Sequence, residues 1–235
     1  MPHVGFLSVA ILVCVVTRDV YFLKMAREKS PDLHGNAPDN SPVALLLIDV
    51  INDFEFDEGA EDLFRFALPA AKRIARLKAR ATEAGVPSIY VNDNFGKWRS
   101  DFRALVGHCI DDDTRGRPIA ELLKPTDEDY FVLKPKQSGF YLTTLDLLLQ
   151  HLGARTLILA GFSTDICVLF TASDAHLRDY HLLIPSDCVA AQSESENDRV
   201  LNYMERVLEA DIRNSDEIDL MTVQREMEAR RAARE

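Results

Sequence analysis

From residue 43 onward, the sequence alternates short, continuously apolar segments with longer segments of helical periodicity. The first apolar segment, 43–49, reads VALLLID, and its lack of polar alternation is typical of a parallel strand covered on both faces. Further segments of this kind occur at 88–93, 130–134, 156–161 and 181–187. Because parallel strands connect through right-handed helical crossovers, the pattern predicts a Rossmann-like, three-layer α/β/α fold with a mostly parallel sheet of about six strands.

The segments between these strands predict the helices and the remaining strand. A long helical pattern covers 60–85, and Pro69 within it predicts a break or a second helix. A long loop is expected after the second strand. Segment 210–218 is expected to supply the sixth strand, ahead of a charged terminal helix. Three further helices are predicted, at about 142–152, 164–178 and 194–209.

A chain of 235 residues favours one domain with short extensions. We expect that domain over 42–210, completed by a strand and charged helix in 211–235. Residues 1–41 are expected to be a disordered extension, or to reflect a mis-assigned start with Met25 as the true one. The thirteen-residue apolar run Val4–Val16 is shorter than the roughly 20 residues of a membrane-spanning helix. A membrane-directing role for it is the alternative to our expectation of no membrane contact.

The charge and the cysteines limit the partners and the compartment. A formal net charge of −11 disfavours nucleic acid and anionic membrane surfaces, so a small-molecule substrate is the expected partner. The four cysteines lack the density of a disulfide scaffold and the spacing of a paired zinc site. Reduced thiols, and with them a cytoplasmic location, are therefore predicted.

Three residues stand where the active crevice of a parallel sheet is expected. Asp49 ends the first predicted strand, Lys134 ends the third, and Cys167 begins the helix after the fourth. A thiol at a helix start beside a cation is expected to have a lowered pKa, a carboxylate can act as base, and the turn amides can bind an oxyanion. Each residue also has a structural interpretation, as a buried thiol, a turn former and a solvated cation. The residues alone leave both open.

Sequence motifs then point to a family. The segments ALLLIDVINDF, VLKPKQSGFYLTTLDLLL and LILAGFSTDICVLFTASDAHLRDYHLLIPSDCVAA resemble the isochorismatase-like cysteine hydrolases over about 42–210. The resemblance implies a catalytic triad of Asp49, Lys134 and Cys167. It further implies a cis peptide between Phe162 and Ser163, an oxyanion hole made by the amides of Ser163 and Cys167, and assembly into a homodimer or homotetramer.

Differences within the family narrow the chemistry. The segment VNDNFGKWRSDF lacks the histidines with which nicotinamide-hydrolysing members hold a metal, so we expect neither catalytic zinc nor a cofactor. His108, the nearest histidine, is expected to be structural. True isochorismatases typically replace the nucleophilic cysteine, so Cys167 favours hydrolysis of a small amide or related C–N bond through a thioester. An isochorismatase-type vinyl-ether hydrolase and a catalytically idle binding or assembly module are the alternatives.

The substrate pocket is expected along the segment that follows the second strand. Its predicted lining residues share polar or aromatic side chains and are Asn92, Asn94, Phe95, Trp98 and Phe102. As an alternative, Trp98 and Phe102 pack against the core or a neighbouring subunit.

Overall fold

The computed structural model describes residues 40–95 and 101–232, so the expectations for Trp98 and for residues 1–39 lie outside it. The strands are β1 (Val43–Ile48), β2 (Ser88–Asp93), β3 (Tyr130–Lys134), β4 (Thr156–Phe162), β5 (His181–Leu183) and β6 (Val189–Ala190). The α-helices are α1 (Ala60–Glu83), α2 (Phe102–Asp111), α3 (Arg117–Leu122), α4 (Leu145–Leu152), α5 (Leu169–His176), α6 (Glu194–Leu208) and α7 (Leu220–Ala232). A π-helical turn, Thr164–Val168, precedes α5.

The strands form one sheet in the order β3-β2-β1-β4-β5, and β6 pairs with the end of β4. Every pairing between the strands of the described chain is parallel. All six residues of β1 are buried, because Val43, Leu45 and Leu47 pack on the α1 side while the alternate residues pack on the α5 and α6 side. The predicted α/β fold with a six-stranded parallel sheet is confirmed.

The predicted break at Pro69 is wrong, since α1 is a single helix from Ala60 to Glu83. Proline removes one backbone hydrogen bond and is usually disruptive inside a helix. Pro69 lies on the exposed face of α1, where the carbonyl that loses its partner can tilt toward water. The buried residues on the other face continue past it without interruption.

The loop expected after β2 contains two helices, α2 and α3. Asp101 caps α2, because its carboxylate accepts a hydrogen bond from the Ala104 N–H at 2.7 Å. Phe102, Leu105 and Cys109 form the buried face, at a helical spacing that the sequence already contained.

The strand predicted at 210–218 is also wrong. Asp211 makes one isolated bridge with Leu183, and β5 ends there, two residues before Pro185, which has no N–H to donate. The sixth strand is instead the two-residue β6. The chain after 211 still completes the core, because Ile218 and Leu220 are buried in the cluster that contains the α1 side of β1. No helix in residues 40–95 and 101–232 is long and apolar enough to cross a membrane.

Candidate active site

Asp49 lies in the turn that follows β1. Its φ of 49° is in the left-handed region, which aspartate tolerates better than most residues, and its N–H donates to the Val91 carbonyl at 3.0 Å. The side chain is nearly buried and uses both oxygens: Oδ2 is 2.8 Å from Lys134 Nζ, and Oδ1 accepts the Asp93 N–H at 2.6 Å. The end of β1 thus directs a carboxylate toward the ends of β2 and β3.

Lys134 is the last residue of β3, and its side chain is fully buried. Its ammonium group has three neighbours, which are Asp49 Oδ2 at 2.8 Å, Asp93 Oδ2 at 3.4 Å and Cys167 Sγ at 3.4 Å. An ammonium group has three N–H donors and no acceptor, so all three neighbours can be bonded at once. Lys134 therefore joins the predicted acid and the predicted nucleophile.

Cys167 reaches this crevice through the end of β4. Gly161 has a φ of 131°, and a Cβ added to it would overlap the Ile48 carbonyl, so the absence of a side chain lets β4 lie directly against β1. The Phe162–Ser163 peptide bond is cis, at the position that the family resemblance implies. The π-helical turn that follows then carries Cys167, which is partly exposed, to Lys134.

The turn that holds Cys167 also has backbone donors. The Ser163 carbonyl accepts the N–H groups of Ile166 and Val168, at 3.3 and 3.1 Å. Within the described chain, the N–H groups of Ser163 and Cys167 make no hydrogen bond to a residue outside 163–168. Both are the amides that the resemblance assigns to an oxyanion hole.

The pKa of the Cys167 thiol is shifted in the direction opposite to the one expected from the sequence. Burial, and then the Asp49 carboxylate, raise the pKa of the Cys167 thiol, and Lys134 only partly opposes them. Burial also raises the pKa of Asp49, against the effect of Lys134. Burial alone would lower the pKa of Lys134, but Asp49 and Cys167 raise it on balance. The prediction of a lowered thiol pKa is therefore wrong, because the sequence does not show the burial of the thiol, which raises its pKa most.

Two residues of the site were not predicted. Asp93, the last residue of β2, contacts both Asp49 and Lys134. Thr171 is buried one helical turn after Cys167; its hydroxyl donates to the Cys167 carbonyl at 2.7 Å and accepts the Gly139 N–H at 3.0 Å. Thr171 therefore links the loop after Lys134 to the nucleophile's helix. The spacing of four residues from Cys167 was the available sequence signal.

Of the residues predicted to line a pocket, Asn94 and Phe95 lie beside the crevice. The Asn94 N–H donates to the Lys134 carbonyl at 3.0 Å, and the Phe95 N–H donates to Asp93 Oδ1 at 2.6 Å. Asn92 instead is fully buried and donates its side-chain amide to the Ile51 carbonyl at 2.7 Å. It exposes no atom to a substrate, so its predicted pocket role is not supported.

Phe102 is likewise part of the core. It is buried, and its ring centroid is 5.5 Å from that of Tyr90 and 5.2 Å from that of Phe131. These contacts agree with the core-packing alternative. They remove Phe102 from the residues that can contact a substrate.

His108 lies between two carboxylates. Its Nδ1 is 2.8 Å from Asp112 Oδ2 and its Nε2 is 3.2 Å from Asp53 Oδ2, and hydrogen bonds to Asp112 and Asp53 raise its pKa. The part of the chain that the structure describes contains no cluster of three side chains suited to hold a metal ion. In this position His108 joins α2 to the segment after β1.

Comparisons with known proteins agree with this fold. A family model described as the Isochorismatase domain matches residues 43–215. The uncharacterized isochorismatase family protein YaaI of Bacillus subtilis (strain 168) is 42% identical, over 74% of this chain and 95% of that protein. The ureidoacrylate amidohydrolase RutB of Methylorubrum extorquens is 27% identical, over 63% of this chain and 70% of that protein.

A solved structure gives the same result. The N-carbamoylsarcosine amidase from Thermoplasma acidophilum superposes with a TM-score of 0.59 and 30% identity, over 75% of this chain and 98% of that one. The parallel sheet and these similarities define a hydrolase with an α/β fold. The chain belongs to the isochorismatase family, which confirms the family that the motifs predicted.

Proposed function

We propose that this hydrolase is a metal-independent cysteine enzyme that cleaves a small amide or related C–N bond through a covalent thioester. Asp49, Lys134 and Cys167 form its catalytic triad. The observation that carries the proposal is the position of Lys134 Nζ, 2.8 Å from the Asp49 carboxylate and 3.4 Å from the Cys167 sulfur. Relatives named as a ureidoacrylate amidohydrolase and an N-carbamoylsarcosine amidase support C–N hydrolysis.

In the first half-reaction, Asp49 takes the thiol proton while Cys167 Sγ bonds to the substrate carbonyl carbon. The carbonyl oxygen becomes an oxyanion, which the N–H groups of Ser163 and Cys167 are placed to bind. Removing one such donor typically slows turnover by about 100-fold or more. The oxyanion then collapses, the C–N bond breaks, and Asp49 returns its proton to the departing nitrogen. A thioester on Cys167 and a free amine or ammonia remain.

In the second half-reaction, water attacks the thioester while Asp49 again accepts a proton. The C–S bond breaks, the thiol regains its proton and the carboxylic acid leaves. The raised pKa of Asp49 supports the proton abstraction in both steps, because a carboxylate with a raised pKa is a stronger base. Lys134 stays protonated and stabilises the thiolate as it forms.

The vinyl-ether alternative requires a proton donor but no thiol nucleophile. The contact between Lys134 and the Cys167 sulfur therefore favours the thioester route. An idle binding module would need none of these contacts among Asp49, Lys134 and Cys167.

A substrate screen with a cysteine variant tests the proposal. The purified full chain is incubated with nicotinamide, N-carbamoyl amino acids, biuret and isochorismate, and ammonia, amine or pyruvate release is measured. We expect release from an amide, and Cys167→Ala should abolish it with an unchanged melting temperature. Cys188→Ala, a matched loss of a buried thiol outside the crevice, should retain it. Full turnover by Cys167→Ala would refute the triad.

The setting of the enzyme is also part of the proposal. We infer a cytoplasmic location, supported by the free thiols of Cys109, Cys167 and Cys188. We infer a homodimer or homotetramer, supported by the exposed rings of Phe170 and Tyr203 near the groove between α5 and α6. Light scattering on the purified chain measures the mass of the assembly.

We also propose that residues 42–210 form the hydrolase domain and that residues 211–235 complete its core. The burial of Ile218 and Leu220 in the main core supports it.

A further inference from the structure

Asp93 brings a second carboxylate to the crevice. It ends β2, and its Cα is the register partner of Lys134 in the neighbouring strand β3. Its N–H is held by Asp49 Oδ1 at 2.6 Å, and its own Oδ2 is 3.4 Å from Lys134 Nζ. The backbone of Asp93 is therefore fixed by the triad, while its side chain faces the same ammonium group as Asp49.

The Asp93 carboxylate retains capacity to accept further hydrogen bonds. Its side chain is 34% exposed, whereas that of Asp49 is 7% exposed. Oδ1 accepts the Phe95 N–H at 2.6 Å, and the contact of Oδ2 with Lys134 is long for a charged pair. A carboxylate offers about four lone-pair positions. The contacts with Phe95 and Lys134 therefore leave acceptor positions of Asp93 unfilled.

The distances place this carboxylate near the reacting atom. Asp93 Oδ2 and Cys167 Sγ are each 3.4 Å from Lys134 Nζ, so they are at most about twice that distance apart. A substrate whose carbonyl carbon is bonded to Sγ can therefore present a group one to three bonds away to Asp93.

The charges favour one kind of group. Two carboxylates, Asp49 and Asp93, face the single ammonium group of Lys134, so the acidic groups of the crevice outnumber the basic ones. A positive or N–H-bearing group is attracted there, and a carboxylate is repelled.

We propose that Asp93 is a specificity-determining residue that accepts a hydrogen bond from an ammonium or amide N–H group next to the scissile carbonyl. The hydrolase thus selects amides with a cationic or N–H-rich substituent and rejects those with a carboxylate there. The proposal rests on the proposed function for the identity of Cys167 as the reacting atom.

Charged thiol reagents test this selectivity without turnover. Cys167 in the full chain is modified by 2-aminoethyl methanethiosulfonate, a cation, or 2-sulfonatoethyl methanethiosulfonate, an anion, and the Cys167 peptide is quantified by mass spectrometry. Each rate is divided by that of free cysteine with the same reagent. We expect the cation to be favoured by at least tenfold, and Asp93→Asn to reduce that preference about tenfold. Asp93→Glu should restore it, and Asp53→Asn, which loses a carboxylate that faces His108 instead, should leave it unchanged.

The outcomes separate selectivity from positioning. Asn keeps the Oδ1 acceptor for the Phe95 N–H, replaces the Oδ2 that faces Lys134 with an NH₂ group, and removes the charge. Equal slowing with both reagents, at an unchanged ratio, would mean that Asp93 only positions Lys134. Two unchanged rates would mean that it does neither, and both results overturn the proposal. If Asp93→Asn does not fold, Asp93→Ser is measured in its place. The preference for the cationic reagent could depend on Asp93 while Cys167→Ala keeps its turnover. That combination would contradict the proposed function but not the charge selectivity.

Amide hydrolysis gives a second measurement of this selectivity. β-Alaninamide and succinamate are primary amides of equal length that end in an ammonium and a carboxylate group. We expect kcat/KM to favour β-alaninamide, and Asp93→Asn to move the ratio toward succinamate by about tenfold. Faster hydrolysis of succinamate by the wild type would overturn the proposal.

Discussion

The strand β3 has a buried lysine–carboxylate pair at each of its ends, and the two pairs do different things. At the amino end, Lys78 of α1 meets Asp129 at 2.8 Å. At the carboxyl end, Lys134 meets Asp49 at the same distance. Both carboxylates have 7% of their side chain exposed. The distance and the exposure of the carboxylates therefore do not distinguish the pairs, although Lys134 is fully buried and 14% of the Lys78 side chain is exposed.

The neighbours of each pair make the difference. Asp129 also accepts the N–H and the hydroxyl of Thr126, at 2.6 and 2.9 Å, and the Lys78 ammonium lies 5.8 Å from the centre of the Tyr90 ring. These contacts connect the turn at 126–129 to helix α1. Lys134 instead contacts the Cys167 thiol. A buried ion pair becomes a candidate for catalysis when a reactive group shares it.

Removal of the two lysines should produce the largest contrast. Lys134→Met and Lys78→Met each leave a buried carboxylate unpaired, so each should lower the free energy of unfolding by about 3 kcal/mol. Only Lys134→Met should also lower kcat/KM, by about 100-fold or more, because it removes the charge that stabilises the thiolate. Urea denaturation and amide hydrolysis measure the two effects. Equal loss of activity in both variants would mean that the pairs are equivalent.

Replacement of the two carboxylates should separate reactivity from turnover. Asp49→Asn should slow hydrolysis about 100-fold, since it removes the base. The same change should speed the alkylation of Cys167 by iodoacetamide at pH 8. Asp49 raises the pKa of the thiol and Lys134 lowers it, so loss of Asp49 increases the thiolate fraction.

Asp129→Asn is the matched control and should change neither rate. Slower alkylation of Asp49→Asn than of the wild type would contradict the assignment of Asp49 as a group that raises the pKa of the Cys167 thiol.

The smallest expected effect concerns Thr171. Thr171→Val removes the hydroxyl between the Cys167 carbonyl and the Gly139 N–H, and an unpaired buried donor costs about 1–3 kcal/mol. We expect kcat to fall about tenfold with little change in KM, because the loop after Lys134 loses its alignment. Thr171→Ser keeps the hydroxyl and should retain turnover. Steady-state kinetics distinguish the variants, and equal rates for Val and Ser would exclude a positioning role.

Much of the fold follows from the sequence, because a short, continuously apolar segment between helical segments is typical of a parallel strand buried on both faces. The bounds predicted for β2 and β3 are those of the structure. The failures occurred where tertiary contacts decide the conformation. Pro69 is tolerated because it faces solvent, and segment 210–218 forms one bridge instead of a strand.

The site was predictable to the extent that strand ends define it. Position and resemblance predict Asp49, Lys134 and Cys167, and the structure brings all three into contact. At the end of β2 the sequence offers Asn92, Asp93 and Asn94, and the pleat decides which side chain faces the crevice. Asp93 shares the face of its partner Lys134, whereas Asn92 points into the core. The sequence predicts Asn92 and not Asp93, because the register between β2 and β3 cannot be read from it.

The most direct test of catalysis by Cys167 is to trap the acyl group. The wild-type enzyme is mixed with an excess of its amide substrate, quenched with acid within the first turnovers, and analysed by intact and peptide mass spectrometry. We predict an added acyl mass on the Cys167 peptide that hydroxylamine removes, and no such mass in Cys167→Ala. Turnover by the wild type with no acyl group on Cys167, together with turnover by Cys167→Ala, would contradict a thioester mechanism.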